Sequence, residues 1–331
     1  MKLASTIKLS LGIFSLFLIL QSCRTAKPGT YSDTDISSNQ RDDFHELNKN
    51  LLDALKKNNT RDLDGFLSKE LIDDAHFKTR QEELISNHLK VGDAKLLAEY
   101  YVVNELKGKH DIKVNNKGIN NYIINYEAET PEMYFAFFAA GNEVNKSLIS
   151  LVYYKFDYGW KVNAMLIEPY TMNGKTAPEL YKTAKEMYAK GYLIDAVNTI
   201  QLAETCLAPS QLWQYQNEAE IKEFYSKMAH EANRKYVFPQ IVRGVPTEPR
   251  ILSVYNETRP DGVFPMIYYQ SKIKLADTTA LKKENENIRK VIGKVIPGID
   301  KDKKYILYCV YNKLPHLSES ADRFVITEKL K

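Results

Sequence analysis

The 331-residue chain has few of the residues and patterns on which protein chemistry is commonly built. It holds three cysteines, six histidines and no Gly-x-Ser-x-Gly elbow or phosphate-cradling glycine loop, which leaves out two large classes of hydrolase and nucleotide-binding site. His45-Glu46 begins like a zincin helix, but no second histidine follows four residues after the first. No cofactor motif is present. Charge of one sign is missing as well. The chain has 46 Lys plus Arg and 42 Asp plus Glu, a near balance that supplies no electrostatic footprint for nucleic acid. Nor does the N-terminal apolar run, residues 9–20, have the roughly 20 residues that a spanning helix needs; it has 12, broken by Ser10, Gly12 and Ser15.

That run has the layout of a secretory leader instead: Lys2 and Lys8 carry positive charge, and small Ser22 stands just before Cys23. Leu20-Gln21-Ser22-Cys23 resembles the lipobox of bacterial lipoproteins, with Gln21 in place of the usual small or aliphatic residue. The resemblance implies cleavage before Cys23, a diacylglyceryl thioether on its sulfur and an acylated amine. Several acyl chains at about 0.8 kcal/mol per buried methylene would make attachment lasting. Arg24 stands where an aspartate would imply inner-membrane retention, and residues 24–29 lack the acidic cluster of surface-directed lipoproteins. The resemblance therefore implies an outer-membrane anchor facing the periplasm, with the membrane as first partner through the lipid on Cys23. Without the leader, which carries Lys2 and Lys8, the formal charge falls from +4 to +2.

Residues 23–40 are polar, rich in Ser, Thr, Asp and Gly, and read as a flexible tether. From residue 41 an α+β pattern begins. Phe44, Leu47, Leu51, Leu52 and Leu55 recur at helical period, Asn58-Asn59 ends that helix, and Thr60 or Asp62 can cap a second one carrying Leu63, Phe66, Leu67 and Leu71. A third helix is expected over 80–90. Strands follow over 95–105, 122–130, 133–140, 148–156 and 161–168, rich in Val, Ile, Tyr and Phe. The segment from Lys57 to Leu67, with its polar turn, and the closing Gly159-Trp160-Lys161-Val162 hairpin resemble the NTF2-like (SnoaL-like) fold over residues 41–173. That resemblance implies a cone of antiparallel strands backed by helices.

Residues 174–240 read as helical. Pro178 suits a first helical turn, and Ala184, Gly191, Ala196, Ala203 and Pro209 resemble one tetratricopeptide unit, followed by a long helix over 211–235. Residues 245–331 follow a ββαββ order, which implies a small antiparallel sheet covered by one helix. Cys206 lies in a helical stretch and Cys309 in a strand. The periplasm permits a disulfide between them, two buried free thiols are the preferred reading, and two cysteines fall short of a zinc site.

NTF2-like enzymes place acids, bases or tyrosines inside the mouth of the cone. Here Tyr122 and Tyr126 share a strand face, with Tyr134 and Tyr153 as neighbours from adjacent strands. These four are the candidate ligand contacts for a small apolar molecule, and ordinary core packing explains them as well. His88 and His110 fall at a helix end and a strand exit. Asp73-Asp74-Ala75-His76 and Asp300/Asp302 read as solvated turns rather than metal sites. Residues 271–304 hold ten Lys or Arg and five Asp or Glu, as an amphipathic helix with a solvated face does. No catalytic residue, metal ligand or cofactor is assigned. The expectation is a non-enzymatic binding or assembly lipoprotein with an envelope protein partner; a periplasmic enzyme acting on a small hydrophobic or envelope-derived molecule in the cone is the alternative.

Overall fold

The computed structural model describes residues 27–313 and 322–330, so the leader and Cys23 lie outside the described residues. Regular structure begins inside the segment read as a tether. Gly29–Ser32 forms strand β1, paired antiparallel with a longer strand from Gly29↔Val103 to Ser32↔Tyr100, and Ile36 is buried. An edge strand is held by backbone pairing, so its own polar composition does not reveal it.

Helix α1 (Ser38–Lys57) buries Phe44, Asn48, Leu51 and Leu55 along one stripe. It ends at Asn58, in the left-handed conformation with φ 52° that Asn tolerates. The expected second helix is two short ones, α2 (Thr60–Asp64) and α3 (Lys69–Asp73), capped by the side chains of Asn59 and Ser68. Asp74 caps α4 (Ala75–Val91), accepting from the Phe77 amide, and so helps start the helix instead of joining a metal site.

Strands β2 (Lys95–Val103), β3 (Gly108–Val114), β4 (Tyr122–Ala128), β5 (Glu132–Gly141), β6 (Lys146–Phe156) and β7 (Gly159–Thr171) follow. The main sheet runs β1-β2-β5-β6-β7, entirely antiparallel. Its two faces are both covered. On β5, Tyr134, Ala136 and Phe138 join a core with α1 and α4, while Met133, Phe135 and Phe137 join a second core on the opposite face. Two-sided burial is why residues 133–140 read as an unbroken apolar run.

The second core is closed by the β3–β4 hairpin and by two helices, α5 (Ala177–Ala189) and α6 (Leu193–Thr205). Thr176 and Glu179 form a capping box at the start of α5, with Pro178 in its first turn. Ala184, Ala196 and Ala203 are fully buried, as close approach of the paired helices requires. The helix expected from residue 211 starts later. Trp213–Tyr215 is strand β8, which pairs with β4 through Tyr122↔Tyr215 and Ile124↔Trp213, and only then does α7 (Glu218–Lys235) begin.

The last sheet comprises β9 (Gln240–Ile241), β10 (Arg250–Arg259), β11 (Gly262–Gln270), β12 (Tyr305–Tyr311) and β13 (Phe324–Lys329), in the order β13-β12-β11-β10-β9. Helix α8 (Thr278–Val295) lies between β11 and β12. The expected all-antiparallel sheet is in fact mixed, because β11 and β12 pair in parallel. A crossover helix carries the chain back to the end where β11 began, and that makes the next strand parallel. Leu281, Ile288 and Ile292 of α8 share one core with Leu193 and Ile194 of α6 and Met228 of α7. The helical segment and the final sheet are therefore packed together.

Cys206 and Cys309 are both buried as free thiols, in separate clusters. Burial pushes the Cys206 thiol up to about 12 and Cys309 above its usual value, so neither carries the thiolate of a reactive cysteine. The whole is α+β, and no described helix is long and apolar enough to cross a membrane.

Candidate functional site

A pocket of about 500 Å³ opens between α1 and the start of β2. Its near wall is a helical stripe. His45, Asn48, Lys49, Leu52, Asp53 and Lys56 recur at spacings of three and one, which put them on one face of α1. The far wall is Leu89 at the end of α4, Asp93 and Ala94 in the turn, Leu96 on β2 and Phe138 on β5. Lys56 reaches across to Asp93 at 3.1 Å. The walls thus combine an apolar patch with a charged rim, the usual make-up of a small-molecule site.

Beside this pocket lies a chain of buried hydrogen bonds. Glu99 of β2 is only 3% exposed, and its carboxylate accepts from the Tyr134 hydroxyl at 2.7 Å. His45 Nε2 lies 3.0 and 3.1 Å from its two oxygens. Asn48 Nδ2 donates to the Tyr134 hydroxyl at 2.9 Å, and the Tyr153 hydroxyl donates to Asn48 Oδ1 at 2.8 Å. Sheet register explains the meeting. Tyr134 stands directly opposite Tyr153 on β6, while Ala136, opposite Glu99 on β2, leaves room for Tyr134 to reach diagonally across. Phe44 stacks on Tyr134 with ring centres 3.9 Å apart.

Burial holds the Tyr134 phenol well above its usual value, helped by its bond to Glu99 and by that group's charge; burial does the same for Tyr153. Both hydroxyls stay protonated and act as donors. An ionised Glu99 requires a proton on His45 Nε2, and a neutral imidazole then presents an unprotonated Nδ1. The His45 side chain is 44% exposed. A carboxylate-oriented imidazole beside a pocket is the arrangement of a general base. The same contacts also tie α1 to the sheet.

The four candidate tyrosines part into two pairs. Tyr134 and Tyr153 meet in the network, in contact with the pocket through Asn48. Tyr122 and Tyr126 belong to the core on the other face of the main sheet. There the Tyr122 hydroxyl pairs with that of Tyr100 at 2.7 Å and its ring stacks on Trp213 at 3.5 Å, while the Tyr126 hydroxyl donates to Asn104 Oδ1 at 3.1 Å. They serve as packing. His88 bonds Ser147 Oγ at 3.1 Å through Nε2 and the Leu84 carbonyl at 2.8 Å through Nδ1, and lies outside the pocket lining.

Sequence reasoning meets His45 only as the start of a zinc motif that fails, and it misses Glu99 and Asn48 outright. One is an acid in a strand and the other a polar residue on an apolar helical stripe. Asn48 does carry a signal, since it falls four residues after Phe44 and three before Leu51, on the buried face. Among the described residues no group of three or more His, Cys, Asp or Glu is placed to hold a metal ion. No family model, curated protein or solved structure matches the chain.

Proposed function

We propose that the chain is a lipoprotein, held by the lipid on Cys23 to the periplasmic face of the outer membrane, that binds a small amphiphilic molecule in the α1 pocket without transforming it. In this reading residues 41–173 are an NTF2-like unit, α5 and α6 are a tetratricopeptide-like hairpin, and the last five strands with α8 are a ββαββ unit carrying one additional strand. The observation that carries the binding reading is the state of the interior. Phe44, Tyr134 and Tyr153 fill the space behind α1, and every oxygen of Glu99 already has a partner. What stays open is the pocket beside them, with its apolar patch and charged rim.

A second reading, catalysis, is favoured by one feature: the His45–Glu99 pair at the pocket edge. The two readings differ in the identity of the bound molecule. Chain purified from its host under native conditions is analysed by mass spectrometry, as wild type and as His45→Ala. Binding predicts an adduct of the same mass in both. Adducts of different mass, substrate in the variant and product in the wild type, would overturn the binding reading in favour of catalysis.

A further inference from the structure

The last sheet has two unlike faces. One is covered by α6, α7 and α8. On the other, Phe264, Met266, Leu307, Cys309 and Tyr311 form an apolar cluster with Leu252, Tyr268 and Tyr305, and every member comes from the sheet's own strands. The cluster contains no residue of a described helix. Its floor is nevertheless shut off from bulk solvent: Leu307 is 1% exposed and Cys309 is 0% exposed. The cover is side chains rising from the same strands, and between them remains a pocket of about 340 Å³.

Charge around this pocket is one-sided. Its lining carries two guanidinium groups, Arg259 and Arg323, and one carboxylate, Glu257. Among the described residues neither arginine has a carboxylate within ion-pair distance, unlike Arg289, which bonds Glu328 at 3.1 Å. Arg259 donates to Thr327 Oγ1 at 3.2 Å and sits 5.9 Å from the Tyr305 ring centre. Arg323 lies beside the Tyr311 hydroxyl. Thr327 lies on β13 and Arg323 stands one residue before that strand, so the two guanidiniums enter the groove at different points along it. Arginine's planar fork is suited to carboxylate and phosphate oxygens, and Met, Tyr and Leu side chains suit a flat apolar body.

We propose that this face is a second small-molecule site, independent of the α1 pocket, for an amphiphilic organic anion. The apolar body of the ligand lies over Met266, Tyr268 and Leu307, and its acidic group is held by Arg323 or Arg259. A flat protein surface fits the observations less well, because the floor lies beneath the arginine and tyrosine side chains and only an inserted group reaches it.

The probes are anilinonaphthalene sulfonate, a flat apolar anion, and uncharged N-phenylnaphthylamine, titrated by fluorescence against the full chain. The expected result is a saturable sulfonate site at this face whose affinity falls at least tenfold in the Arg259→Gln/Arg323→Gln double variant. The uncharged probe binds more weakly and does not respond to the arginine substitutions. Val325→Trp, at a position 46% exposed on the groove wall, keeps both charges and fills the space; it should also block the anion. Equal sulfonate affinity in wild type and double variant would overturn the proposal. So would a wild-type dimer in sedimentation that is converted to monomer by Tyr255→Glu, at an exposed position opposite Met266 on this face, since the occupant would then be a second copy of the chain.

Discussion

Glu99 illustrates how a single acid can organise a site while leaving no trace in the local pattern. Two donors, the Tyr134 hydroxyl and His45, face its buried carboxylate, and a buried charge is tolerable only with such partners. Tyr134→Phe deletes one donor and leaves both Glu99 and the Asn48 amide short of a bond. Urea unfolding is expected to show a loss of about 2 kcal/mol, in the range for a buried polar group left unpaired. Tyr158→Phe, at a residue 50% exposed, should leave the midpoint in place. Tyr134 and Tyr153 could be singled out from sequence because their residue type is conspicuous, whereas His45 stands out only as the start of a zinc motif that fails. Their grouping could not, since it depends on the cross-strand register of β2, β5 and β6.

Periodicity made legible most elements that build their own apolar face, although β3, which buries Ile112 and Val114, was missed. α1, α4, α5, α6 and α8 carry helical stripes, and β5 and β6 carry dense apolar runs. Elements held by their partners escaped: β1 is a polar edge strand, and β8 is only three residues long. Trp213 is the exception within β8, because its ring stacks on Tyr122 and sits edge-on to Phe137 at 5.4 Å. Trp213→Ala should therefore destabilise the protein by about 3–5 kcal/mol, as loss of a buried large aromatic does. A loss below about 1 kcal/mol on chemical denaturation would mean that β8 adds little to the core it closes.

Across the whole molecule, the least legible feature is the packing of the helical segment on the final sheet. The two are continuous in one core, and at that junction Asp195, 3% exposed, pairs with Lys303 at 2.8 Å. Burial raises the Asp195 carboxyl above its usual range, and the attraction of Lys303 offsets this only in part. A carboxyl raised on folding binds its proton more tightly in the native state. Its contribution to stability is full below the unfolded value, near 3.8, and is lost as pH rises through the folded value. Relative to Asp195→Asn, the wild type should lose stability as pH climbs above about 4, which urea midpoints across that range would show. A flat difference would mean the carboxyl is not raised. The proposed lipid anchor is also a whole-molecule matter, because it would set where the pockets work. Cells given labelled palmitate should incorporate it into the wild-type chain and not into Cys23→Ser. Equal labelling of both would remove the lipid anchor from the account.

The α1 pocket is the centre of the functional proposal, and occupancy tests it most directly. Leu52→Trp places an indole in a pocket bounded by Leu52, Leu89, Leu96 and Phe138 and replaces no member of the Glu99 network. Native mass spectrometry of chain purified from its host should show a small-molecule adduct on the wild type that Leu52→Trp lacks. A wild-type chain that carries no adduct, or a variant that carries the same one, would contradict a ligand site beneath α1.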